Sequence, residues 1–255
     1  MQDAGTRRAP DGVPEWRVEP LDRERIRMAS RTRPLPETLE LELVGVGAMA
    51  SPRYAPAGLL VSYGRHRVLI DGGPGATARG PLDAWIVTDE RCELIASIRR
   101  LARELDLVPK VEPWETDGLV IRPRPVVHTS HSCFGYLIEM PCRSRVLRCV
   151  WAPEFFAFPR WAAGVDLLFA EASSFSRPVL FAGGVGGHMP VLDVAREAKR
   201  RRVKRLVFAH IGRSSIRARD AGLALPFGEW ASDGETFVLR RRSRGMHVDR
   251  ADLQP

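Results

Sequence analysis

The feature that most constrains this chain is a succession of short aliphatic runs, each closed by Gly or Pro, that is broken twice by a stretch of helical period. The runs at residues 39–46, 58–63, 66–70 and 83–87 are rich in Val, Leu and Ile and too short for helices, so they read as buried strands joined by short turns. Residues 93–105 then place Leu94, Ile95, Ile98, Leu101, Ala102 and Leu105 at helical spacing, with Arg99, Arg100 and Arg103 between them. That is the pattern of an amphipathic helix packed on a sheet. The arrangement repeats with strands at 118–127, 134–139, 145–150 and 165–170, a helix at 191–202 and a strand at 205–209. Two strand clusters that each carry helices predict an α/β chain of two packed mixed sheets with helices outside, the αββα sandwich. A chain of 255 residues that is 44% hydrophobic has enough apolar material for one such core.

The turn after the fourth run reads Thr88-Asp89-Glu90-Arg91-Cys92-Glu93-Leu94, preceded by a Gly-rich first turn and an Ile70-Asp71-Gly72-Gly73 corner. Further on come Val127-His128-Thr129-Ser130-His131-Ser132-Cys133-Phe134-Gly135-Tyr136, the strand-like Val146 run ending in Trp151-Ala152-Pro153-Glu154, Gly187-His188-Met189-Pro190, and Leu206-Val207-Phe208-Ala209-His210-Ile211-Gly212. Together and in this order, over residues 39–213, these segments resemble the metallo-β-lactamase superfamily in its ribonuclease Z and phosphodiesterase-like branch, and the resemblance implies that fold. The family's Thr-His-x-His-x-Asp-His motif is degenerate here. Aligned on Thr88, the three His positions hold Asp89, Arg91 and Leu94, and the Asp position holds Glu93.

What the resemblance implies about chemistry follows residue by residue. Asp89, His128 and Glu154 stand where ligands of a first metal would be, and Glu93, Glu154 and His210 where ligands of a second would be. His188 would contact phosphate or donate a proton, His131 is the weaker alternative to His128, and Asp71 would hold the metal loop from behind. Carboxylate-rich sets favour harder cations, so the expectation is no metal or one divalent ion, Mn, Fe, Mg or Zn. Arg91 opposes a metal, because a fixed cation beside a divalent ion is unfavourable unless carboxylates intervene. It either turns outward or pairs with Asp89 and Glu154 in place of the ion. Each residue also has an ordinary reading: a lone His is more often a hydrogen-bonded structural residue, Asp71 before two glycines is turn chemistry, and 90–93 is an acidic first helical turn. The function expected is a divergent metal-dependent hydrolase of phosphodiester or similar ester bonds with an altered or mono-metal site. The alternatives are a catalytically inactive, metal-free member serving as a binding or assembly subunit, or a metal-free site in which Arg91, His128 and His188 take an anion or do acid–base work.

A net charge of +8 invites a phosphate-containing substrate or a nucleic acid. Of 39 basic residues, however, only Lys110, Lys199 and Lys204 are lysines, an arginine bias that a genome's base composition explains as well as a binding surface does. Nucleic acid is therefore not favoured over a small-molecule substrate, and a homodimer or protein partner stays open. Cys92, Cys133, Cys142 and Cys149 show no metal-knuckle spacing and read as reduced thiols. With no apolar run near the ~18 residues of a membrane span and no apolar leader, a cytoplasmic protein without membrane contact is expected. Residues 1–38 are Arg-, Asp-, Glu- and Pro-rich, an arm or disordered extension; 39–240 form the domain; 241–255 form a basic tail in solvent.

Overall fold

The computed structural model describes residues 35–142, 144–241 and, for the backbone, 248–250, so most of the expected N-terminal extension and C-terminal tail lies outside the described residues. Two sheets face each other. The first runs β15-β14-β1-β2-β3-β4, built from β1 (Thr38–Gly45), β2 (Gly58–Tyr63), β3 (His66–Asp71), β4 (Ala84–Ile86), β14 (Thr236–Arg240) and β15 (Val248–Arg250). It is antiparallel except for the β3–β4 pair. The second runs β13-β12-β9-β8-β7-β6-β5, from β5 (Trp114–Thr116), β6 (Leu119–Val126), β7 (Cys133–Pro141), β8 (Val146–Ala152), β9 (Leu167–Ala172), β12 (Leu206–Ile211) and β13 (Glu229–Trp230). Its β5-to-β8 half is antiparallel and its β8-to-β13 half parallel. A short hairpin, β10 (Val179–Leu180) with β11 (Gly187–His188), stands apart.

Strand alternation decides which side chain serves which layer. Leu59, Val61, Val68, Ile70 and Ile86 join the core between the sheets, whereas their neighbours Leu60, Leu69, Trp85 and Val87 point the other way and meet Ile98 and Ala102. Those two belong to α1 (Ile95–Arg103), which closes the outer face of the first sheet with Arg99 and Arg100 in solvent. On the second sheet, α2 (Val191–Arg200) buries Val191, Val194, Ala195 and Ala198 against β9 and β12. A further helix, α3 (Arg213–Asp220), follows β12; the sequence signal fades there because only Ser215, Ile216 and Ala218 are buried. The strands read from the sequence sit within two residues of their expected positions; β5 and β13 are not among them, and β15 adds an edge strand inside the stretch expected to be a solvated tail.

The architecture gathers chemistry at one end. The C-terminal ends of β3, β4, β6, β8, β9 and β12 and the start of the antiparallel β7 lie together there, and residues of the loops at these ends line a cleft. Among the described residues no helix is long and apolar enough to cross a membrane.

Candidate active site at the strand ends

Asp71, at the end of β3, takes a left-handed backbone conformation (φ 57°), and its carboxylate is spent on the neighbouring loop. The Thr88 backbone N–H donates to its Oδ1 at 2.7 Å, the Thr88 hydroxyl at 3.0 Å, and the Trp151 indole to its Oδ2 at 2.7 Å. Burial pushes the Asp71 carboxyl up to about 6, against the pull of those donors. Asp71 thus fixes Thr88, the residue before Asp89, and ties β4 to β8.

On the far wall, three imidazoles are held by one ring nitrogen each. His128, after β6, donates its Nδ1–H to the Gly187 carbonyl at 3.0 Å, and the Gly187 N–H returns a bond to the His128 carbonyl at 2.8 Å. A carbonyl only accepts, so Nδ1 carries a proton and Nε2 is the nitrogen turned toward Glu154. Position 187 must be glycine: its φ is 152°, and a Cβ there would lie 1.8 Å from the Val179 carbonyl oxygen. His188 donates from Nδ1 to Glu171 Oε2 at 2.6 Å. His210, another left-handed residue (φ 59°) where the β9–β12 register shifts, keeps Nδ1 2.8 Å from the Ser173 hydroxyl and 3.4 Å from Glu171 Oε1. Such strained backbone at a non-glycine residue is kept where the surroundings over-determine it. Phe181 of the hairpin caps the row, its ring 5.3 Å from His128 and 5.4 Å from His188.

Glu154, beyond β8, is where the Nε2 atoms of two of these rings converge. His210 Nε2 lies 2.9 Å from Glu154 Oε1, and His128 Nε2 3.7 Å from Glu154 Oε2. Burial alone would raise this carboxyl, but His210 and His128 hold it at about 2; burial would likewise lower His210, but Glu154 and Glu171 raise it to about 10. Without an ion, His210 is therefore an imidazolium between two carboxylates. Glu171 is pushed down well below the ordinary range by His188 and His210, against the effect of burial.

The loop after β4 is different. Asp89, 5% exposed, accepts the Arg91 backbone N–H on Oδ1 at 2.7 Å and faces His131 Nε2 with Oδ2 at 2.8 Å; the Cys133 thiol is 3.6 Å from the same oxygen. The partner of Asp89 is thus His131, not His128. The Arg91 side chain is exposed at the cleft rim and has no carboxylate partner among the described residues, so it turns outward rather than pairing with Asp89 or Glu154. Glu93 is exposed on the same rim, and Leu94 packs with α1. The cleft has a volume of about 360 Å³. It brings together every residue singled out from the sequence as a ligand or acid–base group, while Asp71 lies behind it. Burial pushes the thiols of Cys92 and Cys133 up to about 12, which makes neither a nucleophile.

Three participants escaped the sequence reading. Glu171, Ser173 and Cys133 have no motif of their own, but Glu171 did leave a trace: it is a lone carboxylate in β9, whose six residues are all buried. A charge placed there has to be paired. Among the described residues, two groups each hold donor atoms that all lie within 4.8 Å of one another inside the group, Asp89–His131–Cys133 and Glu171–His188–His210. In the second set the Glu171 carboxylate is fully buried and engages the two rings from behind through Nδ1, an orienting arrangement.

No protein-family profile matches the sequence, and no curated protein matches it. Solved structures do match. The metallo-beta-lactamase fold protein YhfI from Bacillus subtilis is 17% identical over 79% of this chain and 99% of that one, with a TM-score of 0.56. A diphosphatase from the PhnP family is 19% identical over 79% and 97%, with a TM-score of 0.57. Human tRNase Z, short form, is 15% identical over 77% and 98%, with a TM-score of 0.53. The chain has the metallo-β-lactamase fold, and at these identities the likeness extends to the fold alone.

Proposed function

We propose that this protein is a hydrolase of phosphodiester or related phosphate-containing ester bonds that works with one divalent ion held by His128, Glu154 and His210. One observation carries the reading: two imidazoles, each anchored through Nδ1, direct Nε2 at the two oxygens of one carboxylate. Two ring nitrogens gathered on the two oxygens of one carboxylate make a donor set that fits a single divalent ion. The two-ion centre of the fold's hydrolases does not fit, because Asp89, Arg91 and Leu94 supply no imidazole where its three His ligands would stand. The ion's contribution would be Lewis-acid polarisation of a phosphoryl oxygen.

The rest is the work of the chain's own groups. Arg91 and Arg213 stand at the rim without carboxylate partners among the described residues, and α3 presents the unpaired amides of its first turn beside Gly212, which suits an anionic group. His188, its Nδ1–H fixed by Glu171, keeps Nε2 as the proton donor to a leaving oxygen. Two structural neighbours carry names of phosphate chemistry, a diphosphatase and a tRNase Z. Four free cysteines suit a reducing compartment, in line with a cytoplasmic protein. The test is turnover of bis(p-nitrophenyl) phosphate by protein stripped of metal and reloaded with Mn²⁺: activity that disappears in Glu154→Gln is expected, and no turnover with Mn²⁺, Fe²⁺, Mg²⁺ or Zn²⁺ refutes the reading. The unpaired Arg91 favours a second reading, a metal-free site that binds a phosphate ester without cleaving it. Binding of a phosphate ester unchanged by chelator, with no turnover, would select it.

A further inference from the structure

Asp89, His131 and Cys133 gather a carboxylate oxygen, an imidazole nitrogen and a sulfur beside the cleft, which Asp89 and His131 line. We propose that these three side chains form a thiolate-containing site for a zinc-like divalent ion, with a fourth position open to the cleft. This goes beyond the hydrolase reading and does not rest on it, because it uses none of His128, Glu154 or His210.

The geometry is already close. Asp89 Oδ2 lies 2.8 Å from His131 Nε2 and 3.6 Å from Cys133 Sγ, and all three donor atoms fall within 4.8 Å of one another. Metal–ligand bonds of about 2.0 to 2.3 Å in a tetrahedron ask for donor separations of roughly 3.3 to 3.7 Å, so shifts of a few tenths of an ångström up to about 1 Å complete the set. The backbone that carries the donors is fixed. The Phe134 N–H bonds the Thr88 carbonyl at 2.9 Å, joining the Asp89 loop to the start of β7, and Thr88 is itself clamped by Asp71. Asp89 and Cys133 are buried, whereas His131 is a quarter exposed and lines the cleft with Asp89, which leaves the open position facing substrate space.

Charge and protons balance. On binding, Cys133 loses its thiol proton to solvent and becomes a thiolate, while His131 binds through Nε2, any proton on that nitrogen passing to Nδ1 or to solvent. A divalent ion with one carboxylate and one thiolate is neutral overall, so the neighbouring Arg91 guanidinium meets no net charge. That removes the conflict the sequence raises between Arg91 and an ion on this loop. Sulfur in the set selects Zn²⁺ or Co²⁺ over Mg²⁺ and Mn²⁺.

The experiment is Co²⁺ titration of the chelator-stripped full chain, read by absorption. One equivalent should produce a near-ultraviolet sulfur-to-cobalt charge-transfer band. The band should vanish in Cys133→Ser, persist in Cys92→Ser, whose cysteine lines the same cleft, and persist in Glu154→Gln, which damages only the other set. Absence of the band in the wild-type chain, or its survival in Cys133→Ser, overturns the proposal. Should Cys133→Ser fail to fold, alkylation of the wild-type chain mapped by mass spectrometry decides: Zn²⁺ must protect Cys133 at least tenfold in rate, and equal alkylation with and without Zn²⁺ overturns the site.

Discussion

Replacing Glu171 by Gln keeps the shape of a fully buried side chain and removes its charge. In the native site Oε1 accepts the Ser173 N–H at 2.8 Å and faces His210 Nδ1 at 3.4 Å, while Oε2 accepts His188 Nδ1–H at 2.6 Å and the Phe155 N–H at 3.3 Å. An amide satisfies one of these two pairs and turns its NH₂ on the other, so two buried donors lose their acceptor and His210 loses one of its two carboxylates. Each orphaned donor costs about 1 to 3 kcal/mol, and breaking a buried ion pair about 3 to 5 kcal/mol, so Glu171→Gln should destabilise the metal-free chain by about 3 to 5 kcal/mol. Urea unfolding at pH 7 in chelator measures it. The penalty should shrink in acid, because a carboxyl held below its ordinary value contributes stability that is present above that value and lost as pH falls toward the folded pKa. A loss below about 1 kcal/mol at pH 7, or one independent of pH, would show that Glu171 does not hold the two rings.

Arg91→Ala should change stability by less than about 1 kcal/mol in the same assay, since the side chain is exposed and unpaired; a loss of about 3 kcal/mol or more would mean a hidden carboxylate partner. The metal-free chain should be most stable between about pH 4.5 and 6.5 as far as the Glu154–His210 pair is concerned. Glu154, held at about 2, contributes stability present above its ordinary 4.5 and lost as pH falls toward 2, and His210, raised to about 10, contributes stability present below its ordinary 6.5 and lost as pH rises through 10. The Glu154→Gln variant should show that dome flattened, with the part due to Glu171 remaining, and an identical pH profile in wild type and variant would contradict the pairing. Nucleic acid should bind only at low salt, because Arg200 and Arg201 are paired with Glu197, Lys204 with Asp166 and Arg205 with Glu229; micromolar binding at ~0.15 M salt would refute this.

The fold was legible because buried strands announce themselves. Residues 58–63 and 66–70 are aliphatic on both faces, since each sheet is covered on both sides, and the arginines of α1 mark its solvent face. The short elements were not legible: β10, β11 and β13 have two residues each, and α3 has too few apolar positions to show a period. At the site, position in the chain led to Glu154, His128, His188 and His210 but not to how they are joined. Glu171 reaches His188 and His210 across distances of 17 and 39 residues, and Asp89 reaches His131 across 42; only the sheet order creates these pairs. The outward turn of Arg91 is equally tertiary, because the Asp89 carboxylate takes the Arg91 backbone N–H and faces His131 instead of the guanidinium.

The account rests on an ion held by His128, Glu154 and His210, and Mn²⁺ tests it directly because this hard ion avoids the sulfur of Cys133. Electron paramagnetic resonance of the chelator-stripped chain titrated with Mn²⁺ should show one bound equivalent in the wild type and in Cys133→Ser. The same titration should show binding weakened at least tenfold in Glu154→Gln and in His210→Ala, each checked for retained fold by circular dichroism. No bound Mn²⁺ in the wild-type chain, or unchanged binding in both variants, would contradict it.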